Sequence, residues 1–223
     1  QYIMTAHQEI ESIKVEYLQS SSLLESILSM ENLTVVDLSN YCLTLEDLNL
    51  TGKYPKKIQT LKLKLFFQLT ARGLNNLLEV CGANSLHTLS LLNFCDINGE
   101  GLTVQLPNLR ELSLSCSGNN DNKYMCNNGV KSMLRICGSN LRSLDLSYGR
   151  FLVNELSEFQ DILSQLESLD ISGCRDITDT GLKEILRICG NSLVKVEAKY
   201  LKNVSAEYKT VVRREFGKIN FTF

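Results

Sequence analysis

Few side chains in this 223-residue chain are capable of chemistry, and their spacing argues against a catalytic site. Histidine occurs only at His7 and His87. Neither has a Ser, Cys or carboxylate at a spacing that would make it the base for a nucleophile, so each reads as a surface or packing residue. Eight cysteines are present, but a metal site needs further Cys or His at ligand spacing. Cys116 and Cys126 stand ten positions apart without such a companion, which makes a metal or redox role the lesser reading. Gly73, Gly101, Gly129 and Gly181 are too widely spread for one phosphate-cradling loop and are assigned to backbone geometry. No enzyme, cofactor or metal is expected.

Charge and hydropathy narrow the partners. The chain carries 23 Lys and Arg against 25 Asp and Glu, a formal net charge of −2, and so lacks the basic footprint of a nucleic-acid binder. No apolar run approaches the roughly 18 residues of a membrane span. Signal-peptide features are also missing.

The elements behind these residues follow one recurring register, in which an apolar residue is followed by others three and five positions on. It starts at Ile10, Leu33, Ile58, Leu86, Leu109, Leu141, Leu166, Leu193 and Phe216, with intervals of 23 to 32 residues. Most of these intervals fall in the roughly 20–29 residue window of leucine-rich repeats. Further landmarks recur beyond the strand: Phe66, Phe94 or Cys174 at the eighth place, Leu69, Ile97 or Ile177 at the eleventh, and a Gly-Leu pair at Gly73, Gly101 and Gly181. Cys-Gly pairs follow at Cys81, Cys137 and Cys189. In the fifth repeat Gly129-Val130 and Cys137-Gly138 are both displaced by five residues, which an insertion within 116–128 explains.

Period-two alternation suits a short strand with one face buried. The spacing of Leu182, Ile185, Leu186 and Cys189 is that of an amphipathic helix. Thr178 or Asp179 is expected to cap this helix, and Gly190 to stop it in the left-handed conformation. One such strand and helix cannot bury its apolar side alone, so stacking is required. The reading is an α/β horseshoe spanning 1–223 as a single domain, with a parallel concave sheet of about nine strands and helices on the convex side. Residues 205–223 form its C-terminal cap, a helix begun at Ser205 and a last strand on Ile219, Phe221 and Phe223. Lys218 discourages pairing at the open edge. The C-terminus reads as a natural end, and the N-terminus as open to a preceding segment.

The run from Leu166 to Leu186, with Leu169, Ile171, Cys174, Ile177, Gly181, Leu182 and Ile185 in place, resembles the cysteine-containing subtype of leucine-rich repeat. That subtype is found in F-box substrate receptors of ubiquitin ligases and in the antagonist of mitotic exit network family. The sixth repeat departs by placing Leu156 where the glycine belongs, and the second lacks the Gly-Leu pair. The resemblance implies a scaffold that binds another protein, in many relatives selecting it for ubiquitination. A Skp1-like adaptor would be met through an F-box segment that residues 1–9 are too short to supply. Cysteines that alternate with Phe behave as small buried hydrophobes, and the terminal Cys clusters of secreted relatives are missing. Cytoplasm or nucleus is therefore the expected location. The sequons at Asn32, Asn49, Asn203 and Asn220 argue for the rival reading, an extracellular receptor. A structural subunit of a larger assembly is the other alternative.

Partner-binding residues are expected at the outward strand positions. These are Ser12 and Lys14, Val35 and Asp37, Thr60 and Lys62, Thr88 and Ser90, Glu111 and Ser113, Ser143 and Asp145, Ser168 and Asp170, and Lys195 and Glu197. Two irregular segments join them as candidates. Tyr124 and Met125, in the Asn-rich insertion, offer apolar anchor area. Lys53, Tyr54 and Lys56, next to Lys57, could meet an acidic or phosphorylated segment.

Overall fold

The computed structural model describes residues 9–18, 20–39, 50, 54–64, 70–92, 102–116, 127–150 and 153–223. Among them nine strands form one sheet in chain order, each parallel to the next. They are β1 (Ser12–Val15), β2 (Val35–Ser39), β3 (Thr60–Lys64), β4 (Thr88–Leu92), β5 (Glu111–Ser113), β6 (Ser143–Asp145), β7 (Ser168–Asp170), β8 (Lys195–Glu197) and β9 (Asn220–Thr222). Through the first eight strands the pairing follows the repeat register position for position, with Leu61 beside Leu89, then Leu112, Leu144, Leu169 and Val196.

Parallel neighbours need a crossover, and helices supply it in several repeats. They are α1 (Ser21–Leu28), α2 (Ala71–Cys81), α3 (Asn127–Ile136), α4 (Gln160–Leu163), α5 (Asp179–Cys189) and α6 (Ala206–Glu215). Gly73, Gly129 and Gly181 each occupy the third residue of their helix, so the five-residue displacement in the fifth repeat is real. The inserted segment is shorter than 116–128, however, because Asn127 and Asn128 already belong to the first turn of α3. At its other end Cys116 is buried, with its N–H donating to the Ser147 carbonyl at 3.0 Å.

Where the sixth repeat has Leu156 instead of glycine, the chain forms a 3-10 helix over Val153–Phe159 before the short α4. Leu156 itself is buried. Thr178 caps α5 by accepting from the Gly181 N–H at 3.3 Å. Asp179 does different work: its carboxylate accepts from the Ser205 N–H and hydroxyl, both at 2.8 Å, and so anchors the start of α6.

One continuous core runs between the sheet and the helices. Leu89, Leu91, Leu144 and Leu169 from the strands, with Leu146 and Ile171 just beyond β6 and β7, share it with Leu74, Leu77, Met133, Leu182 and Ile185 from the helices, all of them buried. Each such side chain contributes about 1.5–3 kcal/mol on leaving water. Polar stitches hold successive repeats in phase. Asn108 and Asn140 donate their amides to the carbonyls of Asn84 and Pro107, both at 2.8 Å. The Ser192 hydroxyl has the carbonyls of Ser164 and Leu166 at 2.6 and 2.7 Å. Ser85 does the same for the carbonyls of Lys56 and Ile58 at 3.1 and 3.0 Å.

Two expectations are corrected. Gly190 is right-handed, with φ −63°. Glycine is required there because a Cβ would run into the Leu186 carbonyl oxygen. The last strand is also slipped by two residues: Phe221, not Ile219, pairs with Val196. A two-residue slip keeps the same side chains on the same face, so alternation cannot reveal it. What holds the observed register is the turn after α6, where the Ile219 N–H donates to Phe216 at 2.8 Å and Ile219 becomes buried. The expectations for Phe66, Leu69, Phe94, Ile97 and Gly101 lie outside the described residues.

Candidate functional site

The outward strand positions align into two rows across the sheet. The first is Ser12, Val35, Thr60, Thr88, Glu111, Ser143, Ser168 and Lys195. The second is Lys14, Asp37, Lys62, Ser90, Ser113, Asp145, Asp170 and Glu197. All sixteen are exposed or half-buried, whereas their inward neighbours from β2 to β8 are buried. Alternation therefore places these residues together on one face, and Ser and Thr keep its middle low.

Charge is unevenly distributed along the second row. At one end Lys14, Asp37 and Lys62 alternate in sign, an arrangement that favours cross-strand pairing. Lys14 also meets Glu16 at 3.1 Å, and that hydrogen bond and charge raise the lysine's pKa. The middle is neutral. At the other end three carboxylates lie side by side, Asp145 next to Asp170 next to Glu197. Glu197 is neutralised by Lys195 at 2.6 Å and Lys199 at 2.8 Å, and these hydrogen bonds hold its carboxyl down at about 2.

Among the described residues the hydrogen bonds to Asp145 and Asp170 come from neutral donors. The Ser113 hydroxyl and the Ser147 N–H reach Asp145 at 2.8 and 2.9 Å, and the Ser172 N–H reaches Asp170 at 2.8 Å. Burial raises the pKa of Asp170, and the charges of Asp145 and Glu197 add to that rise, against the lowering hydrogen bonds of Ser172.

Beyond β6, β7 and β8 the third residue on is left-handed in every case: Tyr148 at φ 58°, Gly173 at 70° and Tyr200 at 60°. Tyr200 is 70% exposed. Sequence reasoning missed these two tyrosines, as well as Ser39, Lys64, Leu92 and Lys199. For Ser39, Lys64 and Leu92 a signal existed, since β2, β3 and β4 continue the period-two alternation one step further. Nothing in the local pattern marks the backbone handedness of the tyrosines.

Of the second candidate segment, Tyr54 is half-buried against the core. Lys56 is exposed and left-handed at φ 53°, and its carbonyl accepts from Ser85. Its backbone thus has a structural duty in addition to whatever its ammonium meets. Lys53, Tyr124 and Met125 lie outside the described residues, as do His7 and Cys126. The ring of His87 is half-buried, and its Nδ1 has no hydrogen-bond partner among the described residues.

The thiols of Cys81, Cys137, Cys174 and Cys189 are free and buried, and Cys116 is buried as well. Burial pushes the pKa of Cys81, Cys137 and Cys189 up to about 12, and that of Cys174 higher still. Cys174 is more than a filler: its thiol donates to the Leu146 carbonyl of the preceding repeat at 3.2 Å. Among the described residues no group of three or more His, Cys, Asp or Glu could hold a metal ion. No helix among them is long and apolar enough to cross a membrane.

Comparison with known proteins bears on the fold. Residues 164–186 match a family model described as a leucine rich repeat. No curated protein matches the sequence. Among solved structures, the chain is similar to the leucine-rich repeat-containing protein LegL7 from Legionella pneumophila. The two share 15% identity at a TM-score of 0.55, over 96% of this chain and 74% of that one. The spacing of its leucines, the matched repeat and the sequential parallel sheet agree on one architecture, and this chain is an α/β leucine-rich repeat solenoid.

Proposed function

We propose that this solenoid recognises another protein through the outward face of its sheet. The supporting observation is that two aligned rows of side chains stand outside the core on eight consecutive strands, while the apolar core is closed on the opposite side of the sheet. A surface so presented is rigid and continuous, which lowers the ordering cost of binding. The loop residues Lys53, Tyr54, Lys56, Tyr124 and Met125 are assigned as flanking contacts.

The finer reading is that the bound protein is selected for ubiquitination, with a Skp1-like adaptor engaged by an F-box outside this segment. It is supported by the likeness of 166–186 to the cysteine-containing repeat subtype, and buried free thiols agree with a home in cytoplasm or nucleus.

Photocrosslinking tests the first reading. Benzoylphenylalanine at position 90 or 143, on the face, should yield adducts with one defined protein. The same group at Lys183, on exposed α5, should yield none. Equal adducts from both sides would refute it. Recovery of a Skp1-like adaptor with the longest native form of the protein tests the second, and its repeated absence would defeat the ligase role.

A further inference from the structure

Resting on the reading that the sheet face receives a protein, we infer that the amino-terminal ends of β5–β7 hold an acidic side chain of that protein, an aspartate or glutamate gripped by Arg110 and Arg142. A cavity of about 510 Å³ opens there, lined by these two arginines, Ser143 and Ser168, with Glu111 and Glu167 beside them. Arg110, Arg142 and Glu167 each stand one residue ahead of a strand and continue the hydrogen bonding of the sheet. The Arg142 N–H donates to the Arg110 carbonyl and the Glu167 N–H to the Arg142 carbonyl, both at 2.8 Å. Two cationic residues are thereby fixed side by side on adjacent repeats.

The arginines differ in how they are held. Arg142 is half-buried, its Nη1 donates to the carbonyls of Ser139 and Leu141 at 2.9 and 3.0 Å, and its Nε stands 3.7 Å from Glu167. Its guanidinium is therefore set in place before anything binds. Arg110 is exposed and makes no ion pair or side-chain hydrogen bond among the described residues, and neither do the hydroxyls of Ser143 and Ser168. The cavity is thus rich in donors that the solenoid itself leaves unused. A carboxylate supplies the missing acceptors, two coplanar oxygens that match a guanidinium fork and that a hydroxyl can also reach. Glu111, which accepts from the Thr88 hydroxyl at 3.2 Å, and Glu167 balance the charge of the arginines. With the net charge at zero, the second charge of a phosphate gains little, and recognition rests on the geometry of fork and carboxylate.

The test uses the full chain and fluorescein-labelled short peptides in which serine alternates with glutamate, phosphoserine or arginine, read by anisotropy. The glutamate peptide should bind, the arginine peptide should not, and the phosphoserine peptide should bind no tighter than the glutamate one. Arg110→Gln should weaken glutamate-peptide binding about tenfold or more, while Arg72→Gln, the same charge change on exposed α2, should leave it unaltered. Arg110→Lys should retain only part of the binding, because an ammonium lacks the fork. The Arg110→Gln chain should unfold at the wild-type temperature, which separates lost binding from lost structure. Failure of the glutamate peptide to bind, equal losses in R110Q and R72Q, full binding by R110K, or tighter binding of the phosphoserine peptide would overturn the proposal. A protein adduct that forms through position 90 in R110Q at undiminished yield would also overturn it, while leaving the sheet-face reading intact.

Discussion

The ring of Tyr148 lies across Gly173 so closely that a Cβ on the glycine would strike it. The two residues are register equivalents in successive repeats, both are left-handed, and Tyr148 donates its N–H to the Ser172 carbonyl at 2.7 Å. An aromatic thus fills the space that the next repeat's glycine leaves open, so handedness and packing in one turn depend on the composition of its neighbour.

That relationship predicts unequal glycine variants. Gly173→Ala should lose about 1–3 kcal/mol from left-handed strain and a displaced Tyr148 ring. Gly82→Ala should lose more, because at φ 89° its Cβ would meet the backbone of Lys56, which cannot swing aside. Chemical denaturation would rank them. Adding Tyr148→Ala to Gly173→Ala should recover part of its loss, and no recovery would mean the ring is not the obstacle.

Core and face should respond differently within one strand. Leu144 is buried and its neighbour Ser143 is not. Leu144→Ala should therefore cost about 2–5 kcal/mol. Ser143→Ala should stay within about 0.5 kcal/mol. Comparable losses by urea unfolding would contradict the assignment of the two faces.

The thiols offer a chemical check on burial. Only a thiolate is alkylated, and Cys81, Cys137, Cys174 and Cys189 have pKa values raised by burial. Iodoacetamide at mildly alkaline pH should leave all four unlabelled in the folded chain and modify them after denaturation. Peptide mapping that finds any of them rapidly labelled in the native protein would show the repeat to be open there.

Acid should act on neighbouring carboxylates in opposite senses. The pKa of Glu197 is lowered to about 2 by Lys195 and Lys199, so its stabilising contribution is full above the ordinary carboxylate range and fades as pH falls toward that value. Solvent screening keeps it below about 1 kcal/mol. The pKa of Asp170 is raised, so its contribution favours the fold at low pH and is lost as pH rises. Urea unfolding between about pH 3 and pH 7 should show E197Q losing less stability than wild type on acidification, and D170N gaining relative to wild type toward neutrality. Parallel curves for all three would dispose of both assignments.

Much of this architecture is legible in the chain because its physics is local. Leu112, Leu144 and Leu169 announce strands by alternation, and transfer of leucine from water dictates which face is buried whatever else the chain does. The helix starts two residues before Gly73, Gly129 and Gly181 recur for the same reason, and so do the outward positions, whose parity follows from the pleat.

Other features depend on groups far apart in sequence, and only the assembled structure decided them. Gly173 has no room for a side chain because the Tyr148 ring of the preceding repeat comes to lie against it, and β9 pairs with β8 two residues out of the repeat register. Alternation registers neither, being blind to a slip of two. Asp145, Asp170 and Glu197 look alike in the sequence. That Glu197 is the one paired with Lys195 and Lys199 was set by the reach of those lysines, since an ion pair is made by distance in space and not by spacing along a chain.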